Sequence, residues 1–132
     1  MLELATALAI LDTIPHPIVF TDNDHIIRYL NKPAQKRYYE LRGYSNLIGK
    51  SLFDCHSPVS REKILENYRR LQAGENEIYM GIGKYHEHVT VVAVRDESGK
   101  LIGYYERFEK VEQSQPVAGK EASPKGEAHG GY

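Results

Sequence analysis

The sequence predicts an α+β domain: a five-stranded antiparallel sheet with short helices on one face. Three observations carry that expectation. Two strand-like runs near the start, at 17–21 and 25–30, are separated by Asp22, Asn23 and Asp24, which favour a tight turn. Three more, at 77–82, 86–95 and 101–108, stand near the end, the last two joined by turn residues at 96–99. Between the two groups the apolar spacing changes from alternation to a helical period, so a helical block separates the hairpins.

Each element follows from its own residues. Leu2, Leu4, Ala5, Leu8, Ala9 and Leu11 suit one face of a helix, and Asp12, Thr13 and Pro15 end it. Residues 1–14 are therefore expected to form an amphipathic N-terminal helix. Pro17, Ile18, Val19, Phe20 and Thr21 supply the first strand, and His25 through Leu30 the second. Asn31 then caps a helix that tolerates Pro33 in its first turn and runs through Ala34, Tyr38 and Leu41. Residues 43–58 mix turn formers with Leu47, Ile48, Leu52 and Phe53, which predicts short helical turns under a loop. Ser60 opens a stronger helix with the stripe Ile64, Leu65, Tyr68 and Leu71. Glu62 near its start and Arg69 and Arg70 near its end suit the helix dipole, and Gly74 closes it.

A chain of 132 residues with 41% hydrophobic side chains has one core, here placed at 15–112. Residues 113–132 have almost nothing apolar to bury and read as a disordered tail. A net charge of -1 gives no overall attraction to nucleic acid or an anionic membrane. The single cysteine cannot form an internal disulfide, and no secretory signal or membrane-length apolar run is present, so a cytoplasmic setting is expected. No phosphate loop, activated nucleophile or paired-carboxylate motif stands out, and the expectation is a binding module, not an enzyme.

The order of elements and the strings that fill them resemble the PAS superfamily. Residues 14–24 (IPHPIVFTDND) are similar to its opening strand and turn, and 28–34 (RYLNKPA) to its second strand entering a helix. Residues 47–53 (LIGKSLF) resemble its connecting segment, and 94–103 (VRDESGKLIG) its final hairpin. The likeness covers about residues 12–112. It departs at 108–111 (FEKV), where many members have an Asp-Ile-Thr-like ending. What the resemblance implies is a signal-sensing module that holds a ligand or partner and relays a change to an effector.

Residues 54–64 (DCHSPVSREKI) resemble the His-Pro-x-x-Ser-Arg-x-Lys segment of carbon-monoxide-responsive haem PAS regulators, with Ser57 intervening before the proline. They also resemble the Cys-His-Pro segment of PAS domains found with hemerythrin-like modules. The first resemblance implies haem b held by His56, with Met80 from a strand as the displaceable second axial ligand and a diatomic gas (CO, O2 or NO) or redox state as the signal. A neutral imidazole is a good iron ligand when its second nitrogen is fixed, and Asp54 and Ser57 stand nearby in sequence. A His/Met pair favours reduced iron.

The plainer readings stand beside these. A histidine next to a loop proline is commonly a surface residue, and a strand Met is commonly core filler. Cys55 is either a small buried hydrophobe or a thiolate competing with His56. Covalent haem attachment lacks a second cysteine, and the Asn-Cys-Arg-Phe-Leu-Gln string of flavin-binding photoreceptors is absent. His86 and His88, two apart on an expected strand, would share a face able to bind zinc or simply remain solvated. The tyrosines suit a pocket or an interface. Tyr104 and Tyr105 alternate, so only one faces inward; Tyr68 and Tyr104 are carried as candidate pocket residues with His56, Met80 and Cys55. The alternative to a haem sensor is a haem-free module for small-metabolite sensing or protein interaction. The apolar stripe at 2–11 would then join two copies in a homodimer.

Overall fold

The computed structural model describes residues 1–55 and 58–112. The elements run α1 (Leu4–Asp12), β1 (Ile18–Asp22), β2 (Ile27–Leu30), α2 (Lys32–Gln35), α3 (Pro58–Gln72), β3 (Glu77–Ile82), β4 (Glu87–Arg95) and β5 (Leu101–Lys110). A π-helical turn at Lys36–Leu41 continues α2, and a 3-10 turn at Leu52–Cys55 precedes α3. The five strands form one antiparallel sheet in the order β2-β1-β5-β4-β3. The last strand thus lies between the two hairpins, and β2 and β3 are the edges.

Local chemistry explains how these elements start and stop. Asp22 organises the β1–β2 turn, its Oδ1 accepting from the N–H groups of Asp24 (2.9 Å) and Ile26 (3.0 Å). Arg28 Nε donates to the other oxygen at 2.7 Å. Asn31 does more than cap α2. Its Oδ1 accepts from Ala34 N at 3.1 Å and from Ile18 N at 2.9 Å, while its Nδ2 donates to the His16 carbonyl at 2.9 Å. One fully buried side chain therefore joins the segment before β1, β1 itself and the helix start. At the end of α3, Gly74 turns with φ +119, and its N–H donates to the Leu71 carbonyl.

Alternation along β5 fixes the two faces of the sheet. Tyr104, Glu106 and Phe108 are buried, while Tyr105, Arg107 and Glu109 are half-buried on the other side. In register with them stand Val19 and Thr21 of β1 and Val89, Val91 and Ala93 of β4. This inner face packs with Ile64 and Leu71 of α3, Ala34 of α2 and Tyr38 of the π-helical turn to make the core.

Three expectations are corrected in detail. The helix begun by Asn31 changes to π geometry from Lys36, which lets Tyr38 turn inward while Leu41 stays exposed. The main helix starts at Pro58, ahead of Ser60, with proline in its first turn where no N–H is required. His86 is not on a strand: it occupies the β3–β4 turn at φ +61, so it shares no strand face with His88. The zinc pairing read from their spacing therefore loses its premise. His88 instead lies 2.7 Å from the Tyr79 hydroxyl through Nδ1.

Candidate functional site

The inner face of β5 carries a residue at odds with its surroundings. Glu106 lies between Tyr104 and Phe108, directly across from Val19 on one side and Val91 on the other, and is 7% exposed. Among the described residues its carboxyl has no hydrogen-bond or ion-pair partner. Burial pushes its pKa up to about 8, with no neighbouring cation to offset the effect. Glu106 opens onto a space between α3 and the sheet, lined also by Ile64, Asn67, Tyr68, Leu71, Val91 and Tyr104. That space measures about 210 Å³, counting the part open to solvent.

The polar groups of this pocket are held by specific partners. Asn67, only 5% exposed, donates its side-chain amide to the Met80 sulfur at 3.2 Å, tying α3 to β3. Its carbonyl oxygen accepts no hydrogen bond among the described residues. Tyr104 meets His25, whose Nδ1 lies 2.8 Å from the phenol oxygen. Burial raises the Tyr104 pKa and the charge of Glu106 adds to the effect. His25 sits in the β1–β2 turn at φ +64, a backbone region that histidine visits more readily than most residues. Its ring stands 4.8 Å from Tyr68, edge-on, and 4.9 Å from Phe53. Burial lowers the His25 pKa, and the charges of Asp22 and Asp24 restore part of it. The imidazole is therefore neutral near pH 7.

Of the five residues singled out in the sequence, three converge here. Tyr68 and Tyr104 line the pocket, and of the pair at 104 and 105 it is Tyr104 that faces inward. Met80 stands beside the pocket at a bulge in β3, packed against the core and bonded to Asn67. Cys55 ends the 3-10 turn before α3. His56, with its neighbour Ser57, lies outside the described residues. Sequence reasoning missed Glu106, Asn67 and His25. Glu106 was signalled all the same: an acidic residue at the inward position of an alternating strand, between Tyr104 and Phe108, is a buried charge once the register is known.

The described residues do not fit haem as they stand. Pockets for drug-sized ligands measure about 300–1,000 Å³, and haem belongs to the large end of that class. The space here is smaller, a carboxyl projects into it, and the Met80 sulfur is occupied by Asn67. No group of three or more His, Cys, Asp or Glu arranged to hold a metal ion occurs among the described residues, and none of their helices is long and apolar enough to cross a membrane.

Comparison with known proteins places this geometry. A family model described as the PAS fold matches residues 11–115. Among solved structures, the C-terminal domain of a Streptococcus mutans protein is 24% identical, with a TM-score of 0.69 over 83% of this chain and 85% of that one. A Colwellia psychrerythraea PAS domain is 20% identical, with a TM-score of 0.59 over 82% of this chain and 96% of the other. The Aer2 receptor of Vibrio cholerae, described as a dual PAS-haem oxygen sensor, is 21% identical, with a TM-score of 0.51 over 74% of this chain and 95% of that one. No curated protein matches the chain in sequence.

Proposed function

This chain belongs to the PAS family, and from that premise we propose that it is a sensory module for a small polar molecule held between α3 and the sheet. The observation that carries the reading is Glu106. A largely buried carboxyl without a protein partner is costly, and a ligand that hydrogen-bonds to it offsets that cost. The pocket combines apolar walls from Ile64, Leu71 and Val91 with a few convergent polar groups, the usual build of a small-molecule site. Its link to the rest of the domain is the hydrogen bond from Asn67 to Met80. A ligand drawing on Asn67 would loosen or tighten β3, an edge strand from which a movement can pass to an effector outside the chain.

Thermal melting against a panel of small polar metabolites tests this. A ligand at about 100 times its Kd adds about 2.7 kcal/mol of stability, enough to raise Tm by several degrees. At least one compound should do so for the native chain and lose the effect in the Asn67→Ala, Glu106→Gln double variant. A panel without effect, or a shift that survives in the double variant, overturns the reading.

Met80 supports a second reading, haem ligation with His56 opposite. Its thioether lies on the β3 wall facing α3, and Aer2 is a haem-binding relative in fold. Haem would require α3 to move off the sheet and Asn67 to release the sulfur. A Soret band that shifts under CO and changes in His56→Ala supports it; protein that stays colourless when supplied with haem excludes it.

Self-association through α1 belongs to the same proposal. The helix buries no residue, and Leu2, Leu4 and Ile10 are exposed, an apolar surface suited to a second copy. Removing residues 1–12 should convert dimers to monomers in light scattering, and persistence of the dimer would refute this mode.

A further inference from the structure

We propose that the pocket between α3 and β5 is built for a primary ammonium ion on a short apolar chain, paired with Glu106 and the Asn67 carbonyl. This rests on the small-molecule reading of the pocket and adds the chemical class of its occupant.

The pocket is rich in acceptors. Asn67 donates one amide hydrogen to the Met80 sulfur at 3.2 Å, which fixes the orientation of its side chain and leaves its carbonyl oxygen without a donor among the described residues. The opposite orientation would set that oxygen against the thioether, which has no hydrogen to give. Glu106, a residue only 7% exposed, contributes a carboxyl that has no partner among the described residues and lines the same space. An ammonium group has three donors and no acceptor, which matches this set. A ligand carboxylate would meet Glu106 as a like charge, and a ligand carbonyl would meet another acceptor at Asn67.

Two further features favour a cation. The tyrosine rings of residues 68 and 104 both line the space, with centroids 5.9 Å apart and planes inclined at 52°, and aromatic faces attract ammonium groups. The remaining wall is aliphatic, from Ile64, Leu71 and Val91, and accommodates a short hydrocarbon tail. The enclosed part of the space is about large enough for one water-sized group, so the ammonium head fills it and a short tail lies in the part open to solvent.

Entry of the cation changes the protonation of Glu106. The titratable groups facing it are Tyr104 from its own strand, Tyr68 from α3, and Tyr38, whose phenol feels the carboxylate charge from the π-helical turn. None is a cation. The carboxyl is therefore held neutral by burial in the free domain, and an ammonium ion beside it restores the ionised form. Binding releases a proton.

Calorimetry with methylammonium through n-butylammonium, the matching alkanols and the matching alkyl carboxylates tests this, run near neutral pH in two buffers of different ionisation enthalpy. The ammonium series should bind at least about tenfold more tightly than alkanols of the same length. Carboxylates should not bind. The buffer dependence should report release of a large fraction of a proton, and Glu106→Gln should abolish both that release and the preference for ammonium. The buffer comparison on the native chain stands even if the variant folds poorly. Alkanols binding as tightly as ammonium ions, or ammonium binding without proton release, overturns the ammonium assignment while leaving a small-molecule pocket in place. Binding of none of the three series, together with a null metabolite panel, removes the pocket reading as well.

Discussion

Asn67 on α3 donates to the sulfur of Met80 on β3 at 3.2 Å, and this bond ties the wall of the candidate pocket to an edge of the sheet. Both partners are largely enclosed, so replacing one leaves the other without its contact. Met80→Leu keeps the volume but strands the amide, and should cost about 1–3 kcal/mol in urea unfolding. Asn67→Ala, Met80→Leu together should cost less than the sum of the single changes; strict additivity would show that the bond contributes nothing.

Glu106 makes stability depend on pH with a defined sign. Its pKa rises on folding, from an ordinary 4.5 to about 8, so its folded form favours the proton. The contribution is complete below about pH 4.5 and is lost as pH climbs through about 8. The unfolding free energy from urea titration should fall across that window by an amount on the order of a few kcal/mol, and Glu106→Gln should flatten the fall. His25 acts in the opposite sense, because burial lowers its pKa and stability drops as pH falls below its unfolded value of 6.5. A midpoint that rises between about pH 7 and about pH 8 would contradict the burial of Glu106 as a neutral acid.

The ion pair of Arg37 and Glu87 joins the π-helical turn to the start of β4 at 2.7 Å, with both side chains nearly enclosed. Arg37 also stacks 4.3 Å from the Tyr85 ring centroid, while Arg37 Nη1 and Glu87 Oε1 are buried without partners among the described residues. Glu87→Ala leaves a buried guanidinium unpaired and should destabilise by about 3–5 kcal/mol. Replacing both by Met and Leu should recover most of that loss. Recovery absent in chemical denaturation would mean that the pair itself, not its burial, is what matters.

Gly103 allows β5 to approach β1. A Cβ placed there would collide with the Thr21 carbonyl oxygen and come within 2.6 Å of the Phe20 ring. Gly103→Ala should therefore separate the central strands and lower stability by at least about 1–3 kcal/mol, with faster amide exchange at Thr21 and Tyr104. Unchanged exchange there would show that the strands do not meet so closely.

Much of this was legible in the sequence because local chemistry and burial agree. Asp22 in the first turn, Asn31 as a cap and Gly74 as a helix stop each do locally what their types predict, although the further bonds of Asn31 to Ile18 and His16 were not legible in its capping role. The site was only half legible. Tyr68, Tyr104 and Met80 could be placed on elements, but Glu106 became informative only after β5 was found between β1 and β4, with apolar partners on both sides. Its role comes from strand order, which alternation alone does not give. His25 is a similar case: a turn residue by sequence, it enters the aromatic cluster because its left-handed backbone aims the ring at Tyr104, distant in the chain. His86 shows the converse, where a two-residue spacing suggested a shared face and a turn intervened.

The most direct test of a ligand site between α3 and the sheet is an NMR titration of the native chain with n-propylammonium, following backbone amides and the Glu106 carboxyl carbon. The account predicts saturable shifts concentrated at Asn67, Tyr68, Val91 and Tyr104, with the Glu106 carbon moving to its ionised position. Shifts confined to exposed carboxylates such as Glu75 and Glu97, or a Glu106 carbon that does not respond, would contradict it.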